Sequence, residues 1–410
     1  MNTKQTTSGQ QPISVAVIGA GMAGRTHANA YRQASTVFGL DLPPIRLHTI
    51  ADIHLPAAED AAKRYGYENA TADWCQVIDD PEIDAVSIVV GNALHRPIAE
   101  AALAAGKHAL CEKPLSDTIA DARAMAELEK TTDLVTAVGY CYRRNPGIAA
   151  LIDTVQDGRI GKVAQITAEY LCDYGADPLV PMSWRYQGPQ GSGALGDLGV
   201  HLLDTLEQIA GRIIRVGGAS FANTVTERPV ATANVAGGRG VTGSDDAPKE
   251  PVENEDTAVF TADFASGARG MISTSRVAFG LANGLKISVA GPSGRAGFDM
   301  AQPAAFWMHD PQPEYGTNGP RNILVGPKHR YVTAGSAMDF EGVGFSQVDQ
   351  FIFQNRAFLE QIVAQRTGEP FPNALPTCPT FADGVHTMLV LDAVARSAAA
   401  GGTTVKVEQN

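Results

Sequence analysis

The stretch Ile13 to Gly24, ISVAVIGAGMAG, limits what this chain can fold into more than any other. Ile13 to Ile18 is a short, mostly apolar run, as expected of a strand buried on both faces of a parallel sheet. Gly19-Ala20-Gly21-Met22-Ala23-Gly24 follows as a G-x-G-x-x-G, and a helical pattern continues through Ala28, Ala30 and Tyr31. Strand, glycine turn and helix in this order form the setting in which the motif binds dinucleotides. The first glycine allows the tight turn, the second lets the backbone approach a pyrophosphate, and the third lets helix and strand pack closely. Gly19, Gly21, Met22, Ala23 and Gly24 are therefore candidate cofactor contacts, with the anion at the helix N-terminus. The alternative is a glycine turn of purely structural use.

A second strand, Ile45 to Ala51, ends in Asp52. A carboxylate there can accept from both ribose hydroxyls and would repel a 2′-phosphate, so NAD is expected over NADP. Its distance from the glycines exceeds the usual interval of about 20 residues, and a loop from Ser35 to Pro44 accounts for the excess. Asp52 could instead only cap the helix expected at Pro56 to Tyr65. Strand and helix patterns go on alternating: a strand at Ala85 to Val90, a helix at His95 to Ala105, a strand at His108 to Cys111, a helix at Asp117 to Lys130, and a strand at Leu134 to Val138. That alternation predicts a doubly wound parallel sheet of the Rossmann type, with ligands outside the carboxyl ends of its strands.

The composition removes several classes of function. The 410 residues carry 44 acidic and 32 basic side chains, a net charge of −12. Binding nucleic acid or anionic lipid needs clustered Lys and Arg, so neither is an expected partner. The five cysteines contain no C-x-x-C pair, which fits a reduced, cytoplasmic protein rather than a zinc ribbon or a disulfide framework. None of the nine histidines falls in an H-E-x-x-H pattern, so no metal is expected. Residues 1–11 read as a polar, disordered tail without the apolar core of a signal peptide, and no apolar run approaches the roughly 20 residues of a membrane helix.

Three segments follow the strands: Gly91-Asn92, Glu112-Lys113-Pro114, and Tyr140 to Asn145. Lys113 could contact a nicotinamide ribose and a reacting hydroxyl, or simply be an exposed lysine at a turn. Further on, Asp197 and His201 stand four residues apart in a glycine-rich segment, Gly191 to Asp204. On a helix they would share a face, with Asp197 holding the imidazole as a base. The bland alternative makes Asp197 a helix-start carboxylate and His201 a satisfied core histidine.

Together, Gly19-Ala20-Gly21-Met22-Ala23-Gly24, Glu112-Lys113-Pro114 and Asp197-x-Gly199-x-His201 resemble the Gfo/Idh/MocA oxidoreductases, the family of glucose–fructose oxidoreductase and inositol dehydrogenase. The resemblance runs from about Ile13 to Val405. It implies an NAD-binding Rossmann domain over residues 12–140. A substrate-binding and oligomerisation α/β domain would cover 141–410, built on a large, mostly antiparallel sheet, with the last helices packing back near the first domain. Runs at Lys162 to Leu171, Arg215 to Phe221, Thr257 to Phe264, Ala268 to Arg276 and Leu285 to Ala290 read as its strands, with Ser266-Gly267 as a hairpin cue. The resemblance further implies a homodimer or homotetramer.

It also implies roles. Lys113, Asp197 and His201 would be catalytic, Lys113 touching both cofactor and substrate, Asp197 orienting, and His201 acting as general acid/base. Asn92, His95, Glu112, Trp184 and Arg185 would adjoin the cofactor, and Tyr142 and Arg143 the substrate. Gly91 departs from the family pattern, in which many relatives carry proline before the asparagine. Residues 226–255 read as a long mobile loop, and 302–338 as an irregular stretch that could be a substrate lid. The stripes Phe351, Phe358, Ile362 and Leu389, Val390, Val394 read as core or subunit contacts.

The expected activity is hydride transfer between a sugar or polyol hydroxyl and NAD. The alternative is an NAD-dependent glycoside hydrolase that oxidises a sugar transiently, eliminates, adds water and re-reduces. Arg143, Arg144, Arg185 and Arg276 leave an anionic sugar, a uronate or a sulfosugar, open as its substrate, although surface ion pairs account for these arginines equally well. A non-catalytic NAD-binding regulator is the third reading, disfavoured because the lysine and histidine are both retained.

Overall fold

The computed structural model describes residues 11–36, 41–231, 243–310, 318–333, 338, 340, 341, 343 and 345–409. Of the polar tail expected at 1–11, only Gln11 lies among them. The chain divides into two compact units. The first comprises Met1–Arg144, Gly326–Phe340 and Ser346–Val385, and the second Asn145–Val325, Glu341–Phe345 and His386–Asn410. No helix of the described residues is long and apolar enough to cross a membrane.

In the first unit strands and helices alternate: β1 (Ile13–Ile18), α1 (Met22–Ala34), β2 (Ile45–Ala51), α2 (Leu55–Tyr65), β3 (Asn69–Thr71), α3 (Trp74–Asp79), β4 (Ala85–Ile88), α4 (His95–Ala104), β5 (His108–Cys111), α5 (Ile119–Glu129) and β6 (Thr136–Val138). The strands form a parallel sheet in the order β3-β2-β1-β4-β5-β6. Every residue of β1, β4 and β5 is buried, which is why these runs are mostly apolar rather than alternating. The order reverses direction at β1, where β2 lies on one side and β4 on the other. A crevice for a ligand opens at such a switch point, outside the strands' carboxyl ends.

The second unit holds α6 (Pro146–Gln156), β7 (Gln165–Leu171), a π-helical turn at Leu195–Gly199 that runs into α7 (Val200–Ala210), then β8 (Ile213–Ala222), β9 (Glu227–Pro229), β10 (Lys249–Pro251), β11 (Thr257–Phe264), β12 (Arg269–Ser275), β13 (Gly284–Gly291), β14 (Gly294–Asp299), β15 (Ala305–His309) and β16 (Arg321–Leu324). The chain continues through α8 (Arg330–Thr333) and α9 (Gln347–Thr367) in the first unit, then α10 (Phe381–Ala399), which begins in the first unit and continues in the second, and β17 (Val405–Lys406). The nine-stranded sheet has the order β16-β15-β14-β13-β7-β12-β11-β8-β17, and only β7 and β12 pair in parallel. Its strands alternate buried and exposed residues, as a sheet packed on one face does. Gly267, with φ 91°, turns the chain between β11 and β12.

Two stretches differ from expectation. Residues 226–255 contain a small hairpin, β9 with β10, and end in the buried Asn254 and Glu255; the segment 232–242 lies outside the described residues. Residues 302–338 contribute β15 and β16 to the edge of the large sheet, while 311–317 and 334–337 lie outside the described residues. Phe306 and Met308 alternate inward there, a short period-2 signal hidden between Pro- and Gly-rich flanks.

The segment 346–385 belongs to the first unit because α9 lays its apolar stripe against α1. Ile352, Phe353, Phe358, Leu359 and Ile362 are buried, and a capping box closes the helix start, Ser346 N–H donating to Asp349 Oδ2 at 2.6 Å. Phe358 is fully buried. Phe358→Ala should therefore destabilise the first unit by about 3–5 kcal/mol, read from chemical denaturation.

Candidate active site

The first unit carries the glycine turn. Gly19 has φ 113°, and a β-carbon on it would collide with the carbonyl oxygen of Val89. A β-carbon on Gly24 would collide with the carbonyl oxygen of Gly19. Gly21 is different: nothing lies within 4 Å of where its β-carbon would be. A side chain there would project into open space beside the N-terminus of α1, whose first N–H groups have no acceptor within the helix. That open space and those donors fit a dinucleotide pyrophosphate.

Asp52 closes the turn from the other side. Its Oδ2 accepts the Ala20 N–H at 2.7 Å and its Oδ1 the His54 N–H at 2.9 Å. Each oxygen keeps a further lone pair, so the carboxylate can hold the turn and still accept from ribose hydroxyls. Asn92 is half-buried in a short 3₁₀ turn, Asn92–Leu94, just past β4. Gly91 before it has φ −65° and ψ 142°, the backbone that proline itself would take. The departure in sequence at Gly91 is thus not a departure in backbone shape.

His95, expected near the nicotinamide ribose, is held by the main chain around it. It is fully buried, with Nε2 3.2 Å from the Val90 carbonyl and Nδ1 3.1 Å from that of Pro114 and 3.3 Å from that of Leu115. Burial pushes its imidazole below the ordinary range, against the opposing pull of Glu112 and the three carbonyls. The ring ties the end of β4 to the Lys113-Pro114 turn. Glu112 is likewise directed inward: its Oε1 meets His27 Nε2 at 3.0 Å and its Oε2 accepts the Lys113 N–H at 3.2 Å. Lys113 itself is half-buried.

Tyr142 and Arg143 lie in the 3₁₀ turn Cys141–Arg144. Tyr142 is buried and accepts from Gln347 Nε2 at 2.8 Å, so its hydroxyl is already engaged within the fold. Arg143 faces Asp383 at 3.9 Å, and the buried Arg144 reaches Tyr331 Oη at 3.3 Å and Cys378 Sγ at 3.6 Å.

The second unit carries Trp184, Arg185, Asp197 and His201. Asp197 sits in the π-helical turn and His201 in the first turn of α7. The turn that carries Asp197 is thus wound more widely than the α-helix expected for the pair. Asp197 Oδ2 accepts from Tyr174 Oη at 2.9 Å and faces Arg185 Nε at 3.5 Å. Burial, with the Asp197 charge beside it, pushes the Tyr174 phenol well above the ordinary range, so it remains a donor. Arg185 lies over the Trp184 ring at 4.3 Å, and Trp184 is 53% exposed, an indole presented to solvent.

Behind these groups stands a buried ionic network that the sequence did not announce. Arg276, fully buried, donates to Asp256 Oδ1 at 2.8 Å, Asn254 Oδ1 at 2.9 Å and the Arg185 carbonyl at 2.6 Å. Arg228 and Arg276 both lie over the Tyr186 ring, at 3.9 and 4.7 Å. Glu255 accepts the N–H groups of Gly191 at 2.6 Å and Leu195 at 2.9 Å, and burial raises its carboxyl above the usual range. A β-carbon on Gly193 would collide with the Glu255 carbonyl oxygen, so the glycine-rich segment is wound tightly on this residue. Tyr174 and Glu255 are the positions that sequence reasoning missed, since neither lies in a motif.

Residues 13–140 match the family described as an oxidoreductase with an NAD-binding Rossmann fold, and 148–296 match the Gfo/Idh/MocA C-terminal domain. The chain belongs to the Gfo/Idh/MocA oxidoreductases. Within that family it is 33% identical over 398 residues to the levoglucosan dehydrogenase of Pseudarthrobacter phenanthrenivorans, covering 95% of this chain and 97% of the relative. The myo-inositol 2-dehydrogenase of Thermotoga maritima is 28% identical, over 74% of this chain and 80% of that one. A solved complex of levoglucosan dehydrogenase with NADH and levoglucosan superposes with a TM-score of 0.86 at 31% identity, covering 98% and 100% of the two chains. As a Gfo/Idh/MocA Rossmann protein, the chain uses NAD. Because Gly91 already holds a proline-like backbone with open space around it, Gly91→Pro should be accommodated and raise stability by about 0.4–1 kcal/mol, seen as a higher melting temperature.

Proposed function

We propose that the chain oxidises a secondary hydroxyl of a neutral sugar, anhydrosugar or polyol, passing the hydride to NAD. The observation that carries this reading is the glycine cradle closed by Asp52, within a chain similar over nearly its whole length to a sugar dehydrogenase. The levoglucosan and myo-inositol relatives are dehydrogenases, which leaves the redox glycosidase unsupported. A neutral substrate is favoured over an anionic one because Arg144 and Arg276 are buried on internal partners, and Arg143 and Arg185 face Asp383 and Asp197.

In this reading Asp52 accepts from the ribose hydroxyls, and Gly21 and the start of α1 cradle the pyrophosphate. The nicotinamide, when bound, supplies the hydride acceptor. His201 takes the proton from the substrate hydroxyl as general base. Lys113 stabilises the negative charge that grows on that oxygen, and as a strongly hydrated ammonium it does so best where the site excludes water. Asp197, itself fixed by Tyr174 and Arg185, orients the base. Trp184 and Asn92 border the cofactor.

The open face of the large sheet exposes Val259 on β11 and Met271 on β12, and a second copy of the chain covering this face would give the homodimer or homotetramer. Cys111, Cys141, Cys172 and Cys378 pack in the core as small hydrophobes, in keeping with a reducing, cytoplasmic setting.

A panel of levoglucosan, myo-inositol and common neutral sugars should give net NADH absorbance with at least one compound. Glycoside cleavage without net NADH would overturn the dehydrogenase reading. His201→Ala should lower kcat by about 100-fold or more, as loss of a general base does. Asp52→Ala should raise the KM for NAD by about tenfold and admit NADP, since the group that repels the 2′-phosphate is gone.

A further inference from the structure

One buried chain of polar side chains in the first unit has no part in the functions assigned so far. It begins at Tyr31 and His27 on α1, the helix that follows the glycine turn, and ends at the main chain of Lys113. Tyr31 Oη lies 2.9 Å from Ser87 Oγ, Ser87 Oγ 3.1 Å from His27 Nδ1, and His27 Nε2 3.0 Å from Glu112 Oε1. Glu112 Oε2 then accepts the Lys113 N–H at 3.2 Å. Tyr31, Ser87 and His27 are completely buried, and Glu112 nearly so.

The direction of these bonds follows from their chemistry. An ionised carboxylate only accepts, so His27 Nε2 donates to Glu112. Ser87 Oγ meets both His27 Nδ1 and Tyr31 Oη, so its hydroxyl links the two. The packing leaves the ring little choice. Phe351 meets it edge-on at 5.4 Å, and Asn355 Nδ2 donates to the His27 carbonyl at 3.3 Å. Residue 139 must be glycine, because a β-carbon there would collide with Glu112 Oε1. Glu112 is thus packed against the backbone at Gly139, with His27 a buried side-chain donor to it.

We propose that His27 is a positioning residue for the Lys113 ammonium, acting through Glu112, which fixes the main chain from which the lysine projects. This rests on the role given to Lys113 above. It also joins the two ends of the cofactor crevice: the helix that presents donors to the pyrophosphate carries the side chain that sets the lysine.

The test compares two substitutions that split the functions of the ring. The amide nitrogen of Gln overlays Nε2 and keeps the donor to Glu112, whereas that of Asn overlays Nδ1 and loses it. In the NAD-loaded enzyme with its sugar substrate, His27→Asn should lower kcat by about 100-fold while the KM for NAD moves less than about threefold, the pattern of a misplaced catalytic group. His27→Gln should restore most of the rate. Glu112→Gln should match His27→Asn, and the double variant should be no worse than Glu112→Gln alone. Hydrogen exchange read by mass spectrometry should show faster exchange of the Lys113 amide in His27→Asn and Glu112→Gln but not in His27→Gln.

Unchanged kcat and exchange in His27→Asn, equal loss in the Asn and Gln variants, or additive losses in the double variant would overturn the proposal. Should His27→Asn fail to fold, Glu112→Gln against His27→Gln decides the same point: loss in the first with retention in the second supports the relay, and retention in both overturns it. Faster exchange in His27→Asn, with a rate that Lys113→Met leaves unaltered, would remove the role given to Lys113 while leaving the hold of His27 standing.

Discussion

The carbonyl oxygen of Val89 occupies the place where a β-carbon on residue 19 would be, and the carbonyl oxygen of Gly19 the place of one on residue 24. These two backbone contacts bring the end of β4, the end of β1 and the start of α1 within van der Waals reach of each other. The rest of the nucleotide side depends on that closeness. It allows the Ala20 N–H to reach Asp52 at the end of β2, and it sets α1 at the depth where His27 meets Ser87 and Glu112. A larger residue at 19 or 24 would therefore disturb both the anion cradle and the group that holds Lys113, although neither lies in contact with the substituted side chain.

The two units solve the same problem with the same chemistry. Each must hold a short segment in one shape, and each does so with a buried carboxylate that accepts main-chain N–H. Glu112 does this for Lys113, and Glu255 for Gly191 and Leu195. A buried carboxylate is costly unless its lone pairs are filled, so it tolerates few alternative geometries around it. That intolerance suits residues whose positions must be kept within fractions of an ångström.

Much of the architecture was legible in the chain because its signals are local. β1, β4 and β5 are apolar runs bounded by turns, and the alternation with helices leaves a doubly wound sheet as the simplest solution. Gly19, Gly21 and Gly24 could be assigned separate uses because each use is a property of one position. What was not legible is what depends on distant partners. Glu255 lies at the end of a segment rich in Pro, Gly and acids, and nothing local distinguishes it from the exposed Glu250 and Glu253 nearby. Asp197 and His201 stand four apart, but spacing cannot reveal that the turn between them is π-helical. Arg144 and Arg276 look like surface arginines in sequence; burial is a property of the fold that surrounds them.

Arg276 shows why such a charge is worth keeping. Replacing a buried ion pair by apolar side chains is often neutral or stabilising, so Arg276 with Asp256 is weak evidence for stability. Its value lies in what else the guanidinium reaches. One nitrogen takes the Arg185 carbonyl, another takes Asn254, and the face lies on Tyr186 beside Arg228. Asn254 and Asp256 flank Glu255, whose carboxylate takes the N–H of Leu195, the first residue of the turn holding Asp197, while Arg185 faces Asp197 itself. A hydrophobic replacement would fill the volume but release both approaches to Asp197 at once. The network is thus better understood as a device that fixes the direction of one carboxylate than as a source of folding energy. The same logic makes the Tyr174 hydroxyl, a neutral donor that burial prevents from ionising, a suitable third constraint on that carboxylate.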